Sequence, residues 1–372
     1  MTQAPSDPQP PLPPLFTVAI FGAVVTGFLF ITIGVASQLV NIAFGLWFAE
    51  IFVFFAAPFL VLRLSGYDAF STAGARRPWA AGAAFGFGVG VVNFFAAVVP
   101  LQIASQSLAP KELVELFDVS GIFKHQTPLE LFLVVSGVCL AAPFCEEFFF
   151  RGLMQRGAEK QLGARKAVIV TAVVFSAFHL DPIGFLARFE LGLVFGFLML
   201  RSGSIWPGVF AHLANNSVSV AIYFASKDSK SEDDLSWWVP LVMIAAAVPL
   251  LWALWGLARR WPAALNAPAR ADETPKPVSS YPNLVGAWIL AALIALAALL
   301  TIDGPGVRLN LVDAFNPLKE PKPTDGQAAK EAWEALYVLR KEVRRGEAKL
   351  NEYELARKAA LADRETTRKS VR

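Results

Sequence analysis

The sequence predicts an all-α fold, a polytopic helical membrane protein with about 8-9 transmembrane helices, a core bundle that holds a polar site, and a charged helix at the C-terminus. The first observation behind this prediction is composition, because 55% of the 372 residues are hydrophobic, a share typical of integral membrane proteins. The second is that apolar runs recur at lengths close to the ~20 residues that a membrane span requires. The third is an abrupt change to charged sequence after Asp303.

The apolar runs define the order of the predicted helices. They lie at about 15–40, 43–63, 79–103, 128–150, 166–180, 185–200, 205–226, 237–258 and 285–302. The runs at 166–180 and 185–200 are short and are separated only by Asp181-Pro182-Ile183-Gly184, a turn-forming stretch that indicates a tight helical hairpin. The predicted domains are a flexible Pro-rich N-terminus at 1–14, a transmembrane domain at 15–303 and a charged helical C-terminal tail at 304–372.

Charge in the connecting loops predicts the orientation of the chain. Basic residues concentrate after the even-numbered runs, while the intervening loops are acidic, which places the N-terminus in the cytoplasm. We therefore expect an integral protein of the plasma (bacterial inner) membrane, with the lipid bilayer as its surroundings. The net charge of +3 does not indicate a nucleic-acid partner. Cys139 and Cys145 lie six residues apart on one predicted helix and cannot bridge each other.

The C-terminal tail carries a helical pattern of its own. Leu336, Leu339, Val343, Leu350 and Tyr353 follow a three-to-four-residue spacing, which predicts one amphipathic or weakly coiled-coil helix. Contact with a partner or with the membrane surface is one interpretation. Alternating charges more often mark a solvated helix, and we favour that interpretation.

Three polar clusters interrupt the apolar runs. They are Cys145-Glu146-Glu147-Phe148-Phe149-Phe150-Arg151, Phe175-Ser176-Ala177-Phe178-His179 and His212-Leu213-Ala214-Asn215-Asn216. An ionisable residue at the bilayer centre costs about 2.5–3.5 kcal/mol on insertion scales, so its presence indicates function. Counted at the helical rise from the nearest basic loop, Glu146, His179 and His212 lie about 15, 20 and 16 Å deep. All three depths are near the middle of a hydrocarbon core of ~30 Å.

The spacing within the clusters indicates which side chains have a structural role and which are free to take part in a reaction. Glu147 and Arg151 are four residues apart on one helix face and can neutralise each other. Glu146 is rotated by about 100° from Glu147 and is therefore free for chemistry. His212 and Asn216 are also four residues apart, so both side chains point into the same space.

These residue types suit hydrolysis of an amide bond within the membrane. A carboxylate and an imidazole that converge on one water molecule make a general base, either directly or through a bound metal. A histidine and an asparagine side by side can donate hydrogen bonds to a developing oxyanion. Glu146, His179 and His212 also match the ligand set of a catalytic zinc with an open position. The residues leave both versions open.

Other polar and small residues have simpler interpretations. Arg188 and Glu190 are interpreted as a charge-compensated pair in the sixth run, and His125 as an exposed loop residue. Glycines at 82, 86 and 90, and at 192 and 196, recur every four residues, a spacing that lets helix backbones approach closely.

The three motifs together resemble the CPBP intramembrane protease family, which includes the CAAX prenyl proteases and bacteriocin-processing or immunity (Abi-like) relatives. The motifs are Glu146-Glu147 followed by Arg151, Phe175 followed by His179, and His212 followed by Asn216. The stretch from Gly192 to Gly196 and on through Pro207 is also similar, and the resemblance covers about 128–226.

The resemblance implies roles for individual residues. Glu146 and His179 would activate the attacking water, His212 and Asn216 would form the oxyanion site or complete a metal site, and Glu147 and Arg151 would support the geometry. The family is labelled metalloprotease, so a divalent metal such as Zn²⁺ held by Glu146, His179 and His212 is one implication. A metal-free glutamate mechanism is the other.

Three functions follow as hypotheses. The first is an intramembrane endopeptidase that cleaves a membrane-associated protein or peptide. The second is a non-catalytic membrane scaffold or bacteriocin-immunity-type protein that binds a peptide in the same pocket. The third, a proton-relay transporter, is disfavoured because the ionisable groups gather at one depth instead of forming a path across the membrane.

Overall fold

The computed structural model describes residues 12–75, 80–123, 127–226, 282–302, 327–345 and 347–370, with a few isolated positions between 245 and 309. Within these residues the fold is all-α. Ten long helices follow one another in the chain: α1 Leu15–Val40, α2 Ile42–Leu64, α3 Ala80–Leu108, α4 Pro128–Leu162, α5 Ala164–Phe178, α6 Phe185–Ser202, α7 Trp206–Ser226, α8 Pro282–Ile302, α9 Gln327–Arg345 and α10 Leu350–Ser370. Short helical turns at Ala69–Thr72, Lys111–Leu116 and Val119–Phe123 connect them.

The predicted polytopic membrane fold is confirmed. Helices α1 to α4 are each long and apolar enough to cross a membrane. One side of α1 exposes large apolar side chains, as a lipid-facing helix does. These side chains are Ile20, Phe21, Val24, Phe28 and Ile31. Helices α5 and α6 form the predicted hairpin and have 15 and 18 residues, about 22 and 27 Å at the helical rise.

Local sequence explains where the helices begin and end. Thr127 and Glu130 form a capping box at the start of α4, in which each side chain accepts a hydrogen bond from the other residue's backbone N–H. Asn41 caps α2 by accepting from the N–H of Phe44 at 3.0 Å. Gly203 ends α6 in the left-handed conformation, with φ of 67°, which glycine adopts without steric cost.

A phenylalanine cluster joins α1, α2, α4 and α5. Its members are Phe30, Phe54, Phe149, Phe150 and Phe178. The ring centroids of Phe54 and Phe149 are 5.9 Å apart, and those of Phe150 and Phe178 are 5.4 Å apart. Aromatic pairs at such distances add about 0.5–1.5 kcal/mol beyond burial of their area. The cluster therefore holds the polar part of α4 at a fixed position between α2 and α5.

Two glycines bring α3 and α7 into backbone contact, as the four-residue spacing predicts. A Cβ atom at Gly86 would lie 2.1 Å from the carbonyl oxygen of Pro207, and one at Gly90 would lie 2.2 Å from that of Ala211. Because the obstacle in both cases is backbone, it cannot swing away as a flexible side chain would. The seam between these helices therefore requires glycine at both positions.

Gly90→Ala should destabilise the protein by about 1–3 kcal/mol, the usual cost of overpacking. The matched control is Gly88→Ala on the same helix, because a Cβ there would meet nothing within 4 Å and alanine favours the helix. Thermal unfolding of the two purified variants measures the difference. Equal unfolding temperatures for both would contradict this account of the seam.

The C-terminal tail differs from the prediction of a single amphipathic helix. It forms two helices, α9 and α10, whose apolar side chains pack on one another. All five residues of the predicted spacing belong to this small cluster: Leu336, Leu339, Val343, Leu350 and Tyr353. The chain leaves α9 after Arg345, and the next residue is Gly346, a poor fit for a helix interior. The predicted apolar positions are confirmed, but the prediction that they lie on one continuous helix is wrong.

Several predictions fall on residues outside the described ranges. These are most of the flexible N-terminus at 1–14, the run at 237–258 apart from isolated helical positions, the loop residue His125, and 304–325 apart from Leu309. Helix α8 is described and contacts α2, where the indole N–H of Trp288 donates to the carbonyl oxygen of Phe52 at 3.2 Å. The count of 8-9 spans and the cytoplasmic N-terminus stay predictions.

Candidate functional site

Helix α4 carries Glu146 and Glu147 near its middle, and the helix runs unbroken to Leu162. The helix thus extends about twelve residues beyond the apolar run at 128–150. Immediately after the two acids, the helix continues in π-helical geometry over Phe148–Gln155, as it also does in four other described segments of the bundle. Glu147 is fully buried, while Glu146 retains 9% exposure. The two neighbouring carboxyl groups therefore occupy different surroundings, as their rotation around the helix predicts.

The predicted ion pair between Glu147 and Arg151 forms. Arg151 Nη1 donates to Glu147 Oε1 at 2.9 Å, and its Nη2 donates to the carbonyl oxygen of Gly192 on α6 at 3.2 Å. The guanidinium also lies 4.5 Å from the ring centroid of Phe175 and 5.3 Å from that of Phe195, within the range of cation–π attraction. Arg151 has no exposed surface, so this arginine links α4, α5 and α6 from inside the protein.

His212 approaches the same ion pair from α7. Its Nδ1 lies 3.5 Å from Glu147 Oε1, and its ring stacks on Phe195 at a centroid distance of 5.0 Å. Gly208, four residues earlier on α7, makes room for the acid, because a Cβ atom there would lie 2.8 Å from Glu147 Oε2. Glu147 thus lies between Arg151 and His212, a contact between helices that the sequence did not indicate.

His179 lies at the end of α5, directly after Phe178. Its Nδ1 is 2.9 Å from the carbonyl oxygen of Phe175. Because a carbonyl can only accept, Nδ1 carries the hydrogen, and a neutral His179 therefore has its lone pair on Nε2. The side chain of His179 is exposed. The geometry leaves Nε2 available to accept a proton.

The three motifs meet around Phe175 and His212. The ring centroid of Phe175 is 5.1 Å from that of His179 and 5.9 Å from that of His212. His212 is also within electrostatic range of both Glu146 and His179. Side chains from α4, α5 and α7 therefore gather in one region, with His212 as their common neighbour.

Asn216 lies one turn beyond His212 and anchors α7 to α4. Its Nδ2 donates to the carbonyl oxygen of Val138 at 2.8 Å, and its Oδ1 accepts from Asn215 Nδ2 at 3.1 Å. An amide group has two N–H donors, so the bond to Val138 leaves one for another acceptor. Asn216 therefore has an anchoring contact beside the oxyanion role that the family resemblance implies.

The resemblance implies Glu146, His179 and His212 as ligands of a divalent metal. Among the described residues, no group of three or more His, Cys, Asp or Glu side chains is arranged to hold a metal ion. The Nδ1 atom of His212 faces Glu147, and that of His179 is bonded to a backbone carbonyl, so Nε2 is the nitrogen of each ring that could bind a metal. The zinc site stays a prediction.

The predicted pairing of Arg188 with Glu190 is wrong. Arg188 Nη1 binds Asp181 Oδ2 at 2.6 Å, and Glu190 Oε2 accepts from Asn93 Nδ2 on α3 at 2.9 Å. Residues two apart on a helix point in different directions, so each side chain finds a partner on another segment. Asp181 also accepts from the backbone N–H of Ile183 and closes the turn after His179.

Glu50, which lies in α2, was not among the site residues predicted from the sequence. It is 3% exposed, and Glu146 is within electrostatic range of it. The signal was present, since Glu50 is the single acidic residue of the run at 43–63 and an acid in such a run indicates function by default. Cys139 and Cys145 are both buried and free, as their spacing predicts.

The fold and this site define an all-α integral membrane protein whose helical bundle brings carboxyl and imidazole groups of α4, α5 and α7 into one region. Residues 128–218 match the family model described as Rce1-like, type II CAAX prenyl endopeptidase. The chain is also 30% identical over 90 residues to the candidate membrane peptidase YdiL of Bacillus subtilis. That region is 24% of this chain and 36% of the relative. No solved structure matches the chain significantly.

These matches support the resemblance deduced from the three motifs, and both show similarity to membrane peptidases over part of the chain only. The matched segment begins at the first residue of α4 and ends within α7. It therefore contains Glu146, Glu147, Arg151, His179, His212 and Asn216. Helices α1, α2, α3, α8, α9 and α10 lie outside the match.

Proposed function

We propose that the protein is an intramembrane endopeptidase that hydrolyses a peptide bond of a membrane-associated protein or peptide. One observation carries the proposal. Glu146 is a buried carboxyl group in the middle of α4, and among the described residues its Oε2 has no hydrogen-bond partner. A buried polar atom without a partner costs about 1–3 kcal/mol, and a water molecule at this position would both satisfy it and supply the nucleophile.

The reaction uses Glu146 and His179 to activate that water. One of these bases takes a proton from the water while the oxygen of the water forms a bond to the carbonyl carbon of the substrate. The carbonyl oxygen becomes an oxyanion in a tetrahedral intermediate. The C–N bond then breaks, and the protonated base returns the proton to the leaving nitrogen. The products are a carboxylic acid and an amine, and both side chains regain their starting state.

The oxyanion is stabilised by His212 and Asn216. His212 contributes a ring N–H, and Asn216 contributes the amide N–H that does not bind Val138. Donors that are fixed before the reaction stabilise developing charge without reorganisation, and loss of one such donor typically costs about 10²–10³-fold in turnover. The contacts of His212 with Phe195 and of Asn216 with Val138 support such fixed positions.

The substrate is a peptide that reaches the space between α4, α5, α6 and α7. The family model refers to CAAX prenyl endopeptidases and the relative to a membrane peptidase, which supports peptide-bond hydrolysis and leaves the substrate sequence open. We place the reaction in the plasma (bacterial inner) membrane, with the N-terminus in the cytoplasm. A chelator added to the reconstituted protein measures whether a divalent metal takes part.

The test compares membrane-protein termini in cells that express the wild type, Glu146→Gln or Glu159→Gln. Glu159 is the control, because it lies on the same helix as Glu146 but away from the site. Its substitution makes the same chemical change without touching the proposed reaction. A terminus that disappears with Glu146→Gln and persists with Glu159→Gln identifies both the activity and its substrate. Termini unchanged by Glu146→Gln, at normal protein levels, would overturn the proposal and favour the non-catalytic scaffold.

A further inference from the structure

Glu50 is a buried acid that the proposed reaction does not yet use. It lies on α2, outside the segment that matches the family, and only 3% of its surface is exposed. Among the described residues its Oε2 has no hydrogen-bond partner. Other buried acids of the bundle have one: Glu147 binds Arg151, and Glu190 binds Asn93. A structural acid would be expected to have such a partner.

The packing of α2 on α4 brings Glu50 to Glu146. Phe54 contacts Phe150, with ring centroids 6.1 Å apart. Glu50 lies four residues before Phe54, and Glu146 lies four residues before Phe150, so both acids are one helical turn back along neighbouring helices. Consistent with this, Glu146 lies within electrostatic range of Glu50, and both acids lie within electrostatic range of Cys145.

Within the part of the chain that the structure describes, each of the two carboxyl groups has one oxygen that lacks a hydrogen-bond donor. Glu146 Oε2 and Glu50 Oε2 each lack a hydrogen-bond donor among the described residues. A water molecule has two hydrogens and can donate one to each oxygen, which would leave its lone pairs directed away from both acids. Such a water would also separate the two like charges, whose direct contact is unfavourable.

We propose that Glu50 is a second carboxyl group of the reaction site, which positions the attacking water against Glu146. This inference rests on the proposed function. Glu146 and His179 still exchange the proton with the water and the leaving nitrogen. Glu50 fixes the second hydrogen of the water and thereby directs its oxygen towards the substrate carbonyl. It is a positioning residue of the reaction.

The role predicts opposite effects on stability and turnover. Glu50→Met replaces an unpartnered buried acid with an apolar side chain of similar length, so the purified full-length protein should unfold at a temperature a few degrees higher. Turnover should fall by about 10–100-fold with KM unchanged, because loss of orientation affects the chemical step. Glu50→Gln keeps an acceptor oxygen and should retain more turnover than Glu50→Met.

A matched control variant and a defined peptide make the test decisive. Glu190→Met removes an acid that has a partner, so the unfolding temperature should fall. Turnover is followed with a fluorescence-quenched peptide that spans the cleavage site identified by comparing the wild type with Glu146→Gln. Wild-type turnover in Glu50→Met, or a loss of both stability and turnover, would overturn the inference. If Glu146→Gln also cleaves this peptide at the wild-type rate, the proposed function itself fails.

Discussion

Glu146→Gln in the purified protein should lower the rate of peptide-bond hydrolysis by about 10²–10⁴-fold, the usual contribution of a general base. Glutamine keeps the size and the hydrogen-bonding capacity of the side chain but cannot accept the proton of the water. His179→Gln should cause a loss of similar size, because the lone pair on Nε2 disappears. Single-turnover assays with the identified peptide measure the chemical step in both cases.

A variant that carries both substitutions shows whether Glu146 and His179 act on the water together or independently. If Glu146 and His179 act on one water, removing both should cost little more than removing either, because residues that act as a unit are strongly non-additive. A loss in Glu146→Gln/His179→Gln equal to the product of the two single losses would show that they act independently. Unfolding temperatures of all three variants provide the control for structural damage.

Arg151→Met should destabilise the protein by about 3–5 kcal/mol, because it leaves the carboxylate of Glu147 buried without its partner. Arg151 has no exposed surface and bonds to both Glu147 and the carbonyl of Gly192. Unfolding of the purified protein by denaturant or heat measures the change.

A second substitution distinguishes a lost charge partner from lost packing. Glu147→Gln/Arg151→Met removes both charges and should recover much of the stability, because replacing a whole buried pair costs far less than breaking it. Arg165→Met, at an exposed position of α5, should change stability by less than about 0.5 kcal/mol. A double variant less stable than Arg151→Met would show that packing, not charge, explains the loss.

The bounds of the helices could be predicted closely because they depend on the local sequence of each apolar run. Span length is set by the bilayer, and the runs at 15–40, 185–200 and 205–226 agree with α1, α6 and α7 to within about two residues. The hairpin of α5 and α6 was predictable for the same reason, since its turn residues are adjacent in sequence. The break in the tail was missed because the apolar spacing continues across Gly346.

The site could be predicted where its contacts lie on one helix. The pair of Glu147 with Arg151 follows from four-residue spacing. The contacts of Glu147 with His212 and of Asn216 with Val138 join residues 65 and 78 positions apart, and no local rule selects such partners. Glu190 was paired wrongly for this reason, because its partner Asn93 lies on another helix. Glu50 was missed because a lone acid forms no motif.

The glycine seam between α3 and α7 restricts how a peptide could enter. At Gly86 and Gly90 the two backbones touch, with no side chain that could rotate aside. Parting these helices would therefore require a rigid displacement of α7, which carries His212 and Asn216. A peptide substrate of the proposed protease that approaches from the lipid would therefore have to pass between helices other than α3 and α7.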